Sequence, residues 1–117
     1  MTIQQICDLL QARPLTANVS MDAEVHSACG SDMMSDVLAY VKDQGVLVTG
    51  LNNPQVVRTA SMMDMVCIVF VRGKIPGEEI IKLAEQLDIT ILATDLPMFP
   101  ACGILYSNGL SGGVSGH

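Results

Sequence analysis

The sequence predicts an α/β domain, a small parallel or mixed sheet flanked by helices. Three observations carry that expectation. Val46-Leu47-Val48-Thr49, Met65 to Val71 and Ile89 to Ala93 are short, largely apolar runs containing β-branched residues, the pattern of strands covered on both faces. Each run leads into a short loop and then a helical pattern, so a strand, loop and helix recur three times. Half of the 117 residues are apolar and only 15% are charged, enough apolar surface for one core in a chain of single-domain length.

The elements follow in order. Ile3, Ile6, Cys7, Leu9 and Leu10 recur at helical spacing, and Arg13-Pro14 stops that helix. Leu15 to Val19 reads as a strand, Met21-Asp22 as a turn, and Glu24 to Cys29 as a second strand with polar alternation. Met33, Met34, Val37, Leu38 and Val41 form one apolar stripe behind the cap residues Ser31-Asp32, predicting a helix that ends at Gly45. Val46 to Thr49 is a strand, Gly50 to Asn53 its loop, and Pro54 opens a helix to about Met63. Met65 to Val71 is the next strand, Arg72 to Pro76 its loop, and Gly77 to Leu87 its helix. Ile89 to Ala93, Thr94 to Pro97 and Met98 to about Leu105 complete the series. Right-handed crossovers are expected between the parallel strands. One domain is expected over 1–110, with 111–117 as a flexible tail too rich in Gly and Ser to pack.

Composition excludes several function classes. Twelve acidic and six basic side chains give a formal charge of −6, with no Lys/Arg cluster and only two Tyr and two Phe. Nucleic acid is therefore not an expected partner, because neither counterion release nor base stacking is provided for. The longest apolar run, Met65 to Val71, is far shorter than the roughly 20 residues of a membrane-spanning helix. The first eight residues carry no basic leader and no long apolar stretch, so a cytoplasmic location and reduced thiols are expected. No Walker-type loop, Gly-x-Gly-x-x-Gly or His-Glu-x-x-His is present, which removes the usual sequence support for phosphoryl transfer, dinucleotide redox chemistry and zinc hydrolysis.

In an open parallel sheet a ligand sits at the carboxyl ends of the strands, where loops converge and helix N-termini present free N–H groups. The loops in question are Cys29-Gly30-Ser31-Asp32, Thr49 to Asn53, Val71 to Lys74 and Thr94 to Pro97. Ser31, Asn53 and Asp95 also suit plain helix capping, so capping alone and capping with a bound anion both stand. Arg72 and Lys74 bracket Gly73 and are two of only six basic residues, which makes them the anion-attracting pair; Arg58 is a third candidate. Two Ala-Cys-Gly tripeptides place Cys29 and Cys102 before glycine near expected helix starts, where a thiolate could be stabilised for redox or metal chemistry. Packing is the competing reading for both, as it is for Cys7 and Cys67. His26 has no assignable catalytic partner, and the eight methionines suit either core filling or an adaptable interface.

Val46-Leu47-Val48-Thr49-Gly50, followed by a helix, a strand, Arg72-Gly73-Lys74-Ile75-Pro76 and then Leu87 to Asp95, resembles the DRTGG domain, which is similar in fold to the N-terminal domain of HPr kinase/phosphorylase. The likeness covers most of residues 24 to 107. Thr49-Gly50 and Thr94-Asp95 match the family pattern. Leu51-Asn52-Asn53 stands where the family often has a glycine and a charged pair, and Leu96 to Pro100 replaces its threonine-rich helix start. The resemblance implies a regulatory α/β module of the kind found alone or inserted in certain pyrophosphatases and phosphotransacetylases. In the pyrophosphatases it looks like part of a dimeric unit that responds to adenine nucleotides. It also implies no kinase activity, since that belongs to a P-loop domain this chain lacks.

The resulting expectation is a non-catalytic regulatory domain, a homodimer with no cofactor. It would hold a small anion, with an adenine nucleotide as the candidate regulatory ligand, through Thr49, Gly50, Asn52, Arg72, Gly73, Lys74, Thr94 and Asp95. One alternative is a redox or metal-associated accessory protein using Cys29 and Cys102, linked to an iron-only hydrogenase or a sensor-kinase system. Another is a pure protein-interaction module with a methionine-rich face.

Overall fold

In a computed structural model of the chain, which describes residues 1–17, 20–39 and 44–112, the apolar runs become neighbouring strands of one sheet. Helix α1 spans Ile3–Leu9 behind a capping box in which Thr2 and Gln5 satisfy each other's backbone N–H groups. Strands β1 (Arg13–Pro14) and β2 (Ser27–Gly30) and the single-turn helix α2 (Met34–Val37) follow. Then come β3 (Gly45–Thr49), α3 (Pro54–Met62), β4 (Cys67–Phe70), α4 (Glu78–Gln86), β5 (Thr90–Ala93) and α5 (Met98–Ser107). Helix α3 opens as its sequence demands, with the Asn53 side chain accepting from Gln55 N–H and Pro54 in the first turn.

Among the described residues the sheet has five strands in the order β1-β5-β4-β3-β2. β2 to β5 run parallel and β1 pairs antiparallel with β5, so the sheet is mixed. The period of two along each strand sorts the core into two layers. Leu47, Ile68, Phe70 and Ile91 face α2, α3 and α4, whereas Val46, Val48, Cys67, Val69 and Leu92 face α1 and α5. Burial on both faces explains why β3, β4 and β5 read as apolar runs rather than alternating ones. From β2 to β5 the strand order advances one step at a time in one direction. No reversal of order opens a crevice inside the parallel sheet, so any site at this end must be made by the loops.

Several expectations are corrected. The strand expected at Leu15 to Val19 begins earlier, at Arg13–Pro14. Pro14 lacks an N–H and so fits an edge position, while Leu15 N–H donates to Ile91 O at 2.8 Å and Thr16 Oγ1 accepts from Ile91 N–H; residues 18 and 19 lie outside the described residues. The second expected strand, Glu24 to Cys29, is confined to Ser27–Gly30, with Glu24 in a separate antiparallel bridge to Thr2. The helix expected from Met33 to Gly45 is described only as the turn Met34–Val37. Residues 40–43 lie outside the described residues, and Gly45 already belongs to β3. Ser31 Oγ accepts from Met33 N–H and turns the chain there, so the N-cap falls on Met33, which offers no side-chain acceptor. Of the expected apolar stripe Val37 is buried, while Met33 and Leu38 are exposed. At the far end, Leu110 is buried and Ala28 N–H donates to Ser111 O at 2.8 Å, so chain pairing along β2 extends to Ser111. Residues 113–117 of the expected tail lie outside the described residues.

Candidate functional site

The register of the parallel strands gathers the candidate loops at one rim. Thr49 pairs with Phe70 and Phe70 with Ala93, so Thr49, the residues after Phe70 and Thr94 emerge side by side. Backbone bonds tie the loops together: Val71 N–H donates to Thr49 O, Gly73 N–H to Thr94 O, and Arg72 N–H to Leu96 O, at 3.0, 3.0 and 2.8 Å. Asn52 adds a side-chain bond from Nδ2 to Ile75 O at 3.3 Å.

At the centre is a residue that the sequence presents as a helix cap. The Asp32 carboxylate accepts from Gly50 N–H at 2.7 Å and from the Thr49 hydroxyl at 3.0 Å through Oδ1, and its Oδ2 lies 3.5 Å from Arg72 Nη2. The Arg72 guanidinium lies across Gly50 so closely that an added Cβ there would stand 2.9 Å from its central carbon. Glycine at position 50 is therefore the seat of the arginine. Arg72 and Gly73 both take left-handed backbone conformations, φ +59° and +68°. Gln11, Asp64 and Asp88 do so just beyond helix ends, where that conformation is ordinary. Arg72 does so just past a strand, at a cost of roughly 1–2 kcal/mol for a side-chain-bearing residue, offset by the two backbone bonds to the Thr94–Leu96 loop.

The other expected residues divide. Lys74 and Asp95 are exposed at the same rim, and Asp95 Oδ1 stands 3.3 Å from where a Cβ on Gly73 would be. Thr94 is buried and its hydroxyl is engaged, donating to Leu10 O at 2.7 Å and accepting from Leu96 N–H at 3.2 Å. It fastens the end of α1 to the end of β5 and offers a ligand no free donor. Arg58 does not join the rim; it lines a groove between α3 and α4 with Glu79 and Lys82. His26 is exposed on the approach to β2.

The two thiols of the redox alternative lie on opposite faces of the sheet. Cys29 packs on the side of α2, α3 and α4, Cys102 on the side of α1 and α5. Neither stands at a helix N-terminus: Cys29 is inside β2 and Cys102 is in the middle of α5. Burial, and secondarily the Cys29 thiol across the sheet, push the Cys102 thiol up from its ordinary value, the reverse of an activated thiolate. Among the described residues no three His, Cys, Asp or Glu side chains are grouped to hold a metal ion.

Fold and rim together define a small α/β module in which polar loops converge at one end of a parallel sheet. The chain belongs to the DRTGG domain family, whose model matches residues 5–106. None of the curated proteins matches it. Among solved structures it is similar to the CBS and DRTGG domains of the regulatory region of Clostridium perfringens pyrophosphatase, a structure complexed with the activator diadenosine tetraphosphate. The TM-score is 0.75 at 18% identity, and the match takes in 89% of this chain and 45% of that one. This chain thus spans a little under half of the length of that structure's chain.

Proposed function

We propose that the chain is a non-catalytic regulatory domain that binds a small anion where β3 and β4 end. The observation that carries this reading is the convergence of a backbone N–H, a hydroxyl and a guanidinium from two loops on one carboxylate, that of Asp32. Donors arranged in this way accept oxyanions. Arg72 is half-exposed and touches Asp32 through one nitrogen at 3.5 Å, so most of its five N–H donors remain for a second anion. Lys74 adds charge, Gly50 seats the guanidinium, Gly73 allows close approach, Thr49 and Asn52 shape the loop beside them, and Thr94 and Asp95 support it from β5. An adenine nucleotide is the favoured ligand class, an argument by analogy with the activator bound in the related pyrophosphatase region. On the same analogy the domain acts beside a partner domain or protein; a cytoplasmic location and a homodimer complete the proposal.

The test is thermal unfolding with ADP and, separately, with inorganic pyrophosphate. Ligand at 100 times its dissociation constant stabilises by about 2.7 kcal/mol, a shift on the order of 10 °C for a domain of this size. Arg72→Ala is expected to abolish the shift while leaving the ligand-free midpoint nearly unchanged. No shift in the parent chain, or the same shift in Arg72→Ala, contradicts the proposal.

A further inference from the structure

Helix α5 is apolar on every side. Its ten residues, Met98–Ser107, include no charged group, and none occurs between Asp95 and Gly112. A helix of that composition belongs in an interior. Among the described residues only one of its faces is covered: Ala101 and Leu105 are buried against the sheet, while Phe99 is 87% exposed and Tyr106 70% exposed on the opposite side. Phe99, Gly103 and Tyr106 stand four and three residues apart, one stripe along the helix. A Cβ added at Gly103 would meet nothing within 4 Å, so the stripe has a flat centre between two aromatic rings. Beside it runs a cleft of about 440 Å³ reaching to Gly30 and Leu110.

We infer that this stripe is the homodimer interface, with α5 packed antiparallel on the α5 of a second copy about a two-fold axis passing between Cys102 and Gly103. The inference rests on the homodimer of the proposed function and adds where and how the copies meet. A two-fold at that midpoint lays each Phe99 on the partner copy's Tyr106, which makes the patch self-complementary. Two further features favour a second copy over a different partner. Gly103 at the crossing lets the two backbones approach. Two chains of formal charge −6 meet with least repulsion through a surface free of charge, and that surface gives a partner chosen by charge nothing to read. Aromatic side chains bury about 150–250 Å² each, so four such rings supply most of the roughly 1,200 Å² at the lower bound of specific interfaces.

Sedimentation and light scattering of the full chain test this. The parent protein is expected at twice the 12.5 kDa chain mass. Phe99→Asp and Tyr106→Asp, both at exposed positions, are each expected to weaken dimerisation on the order of 100-fold while the circular dichroism stays unchanged. Met62→Asp, at an exposed apolar position on α3, is expected to leave the dimer intact. A dimer that survives both Phe99→Asp and Tyr106→Asp overturns the α5 interface and leaves the homodimer standing. A monomeric parent chain overturns both, without touching the anion site.

Discussion

Asp32, Gly50 and Arg72 come from three loops, and each has one physical task. Asp32 braces, Gly50 makes room, and Arg72 carries the charge. In Gly50→Ala the new methyl takes the space of the guanidinium, and the arginine, being flexible, swings away. We expect loss of ligand-induced stabilisation as complete as in Arg72→Ala, checked by calorimetric titration with ADP. Ligand-free stability in urea should fall by less than about 1 kcal/mol, because the ion pair it breaks is half-exposed on both sides. In Asp32→Asn the amide oxygen can still accept from Gly50 N–H, but a negative charge beside the anion is removed. Binding should tighten at low salt, and the gain should shrink as salt screens it. Arg72, Lys74 and the Thr49-Gly50 pair were legible as site candidates because charge and glycine are visible in the letters. Asp32 was not, since an acidic residue before a helical pattern reads as a cap, and its partners Thr49 and Gly50 lie 17 and 18 residues away.

Helix α3 buries Val56, Val57 and Ala60, and among these apolar groups the Thr59 hydroxyl has no hydrogen-bond partner among the described residues. Thr59→Val keeps the shape, removes the unpaired group and leaves helix propensity almost unchanged. Stabilisation of about 1 kcal/mol, or roughly 4 °C by calorimetry, is expected; an unchanged or lower midpoint refutes this account of the hydroxyl. Elements with strong periodicity were readable to within a residue or two: α3, α4, β3 and the start of α5 stand close to where their patterns place them. Two were not. Strand β1 is two residues long and includes Pro14, whose ring argues against a strand except at an edge, and edge position is a property of the whole sheet. Helix α2 is described only as Met34–Val37, and its start is not the expected cap, because the Ser31 hydroxyl accepts from Met33 N–H and makes a turn that the apolar stripe does not register.

Cooperative folding couples the buried thiols to pH. Burial, with a smaller contribution from Cys7, pushes the Cys67 thiol far above its ordinary value of 9.0. Burial and then Asp8 push Cys7 in the same direction. Below pH 9 the thiols are protonated in both states and stability is indifferent to them. Above it the unfolded chain gives up protons that the folded chain keeps, so stability falls as pH rises, by up to about 1.4 kcal/mol per pH unit for a group as deeply buried as Cys67. Urea unfolding between pH 8 and 10.5 should trace that decline, and Cys67→Ala should lose stability at neutral pH but decline less steeply. The whole molecule depends on β2 to β5 running parallel in one continuous order, because that alone brings Thr49, Arg72 and Thr94 to a common rim. An amide NMR titration of the full chain with ADP measures the consequence residue by residue. Saturable shifts at Gly50, Arg72 and Gly73, with Gly103 and Tyr106 unmoved, are the expected result; no shifts, or shifts confined to α5, would contradict it.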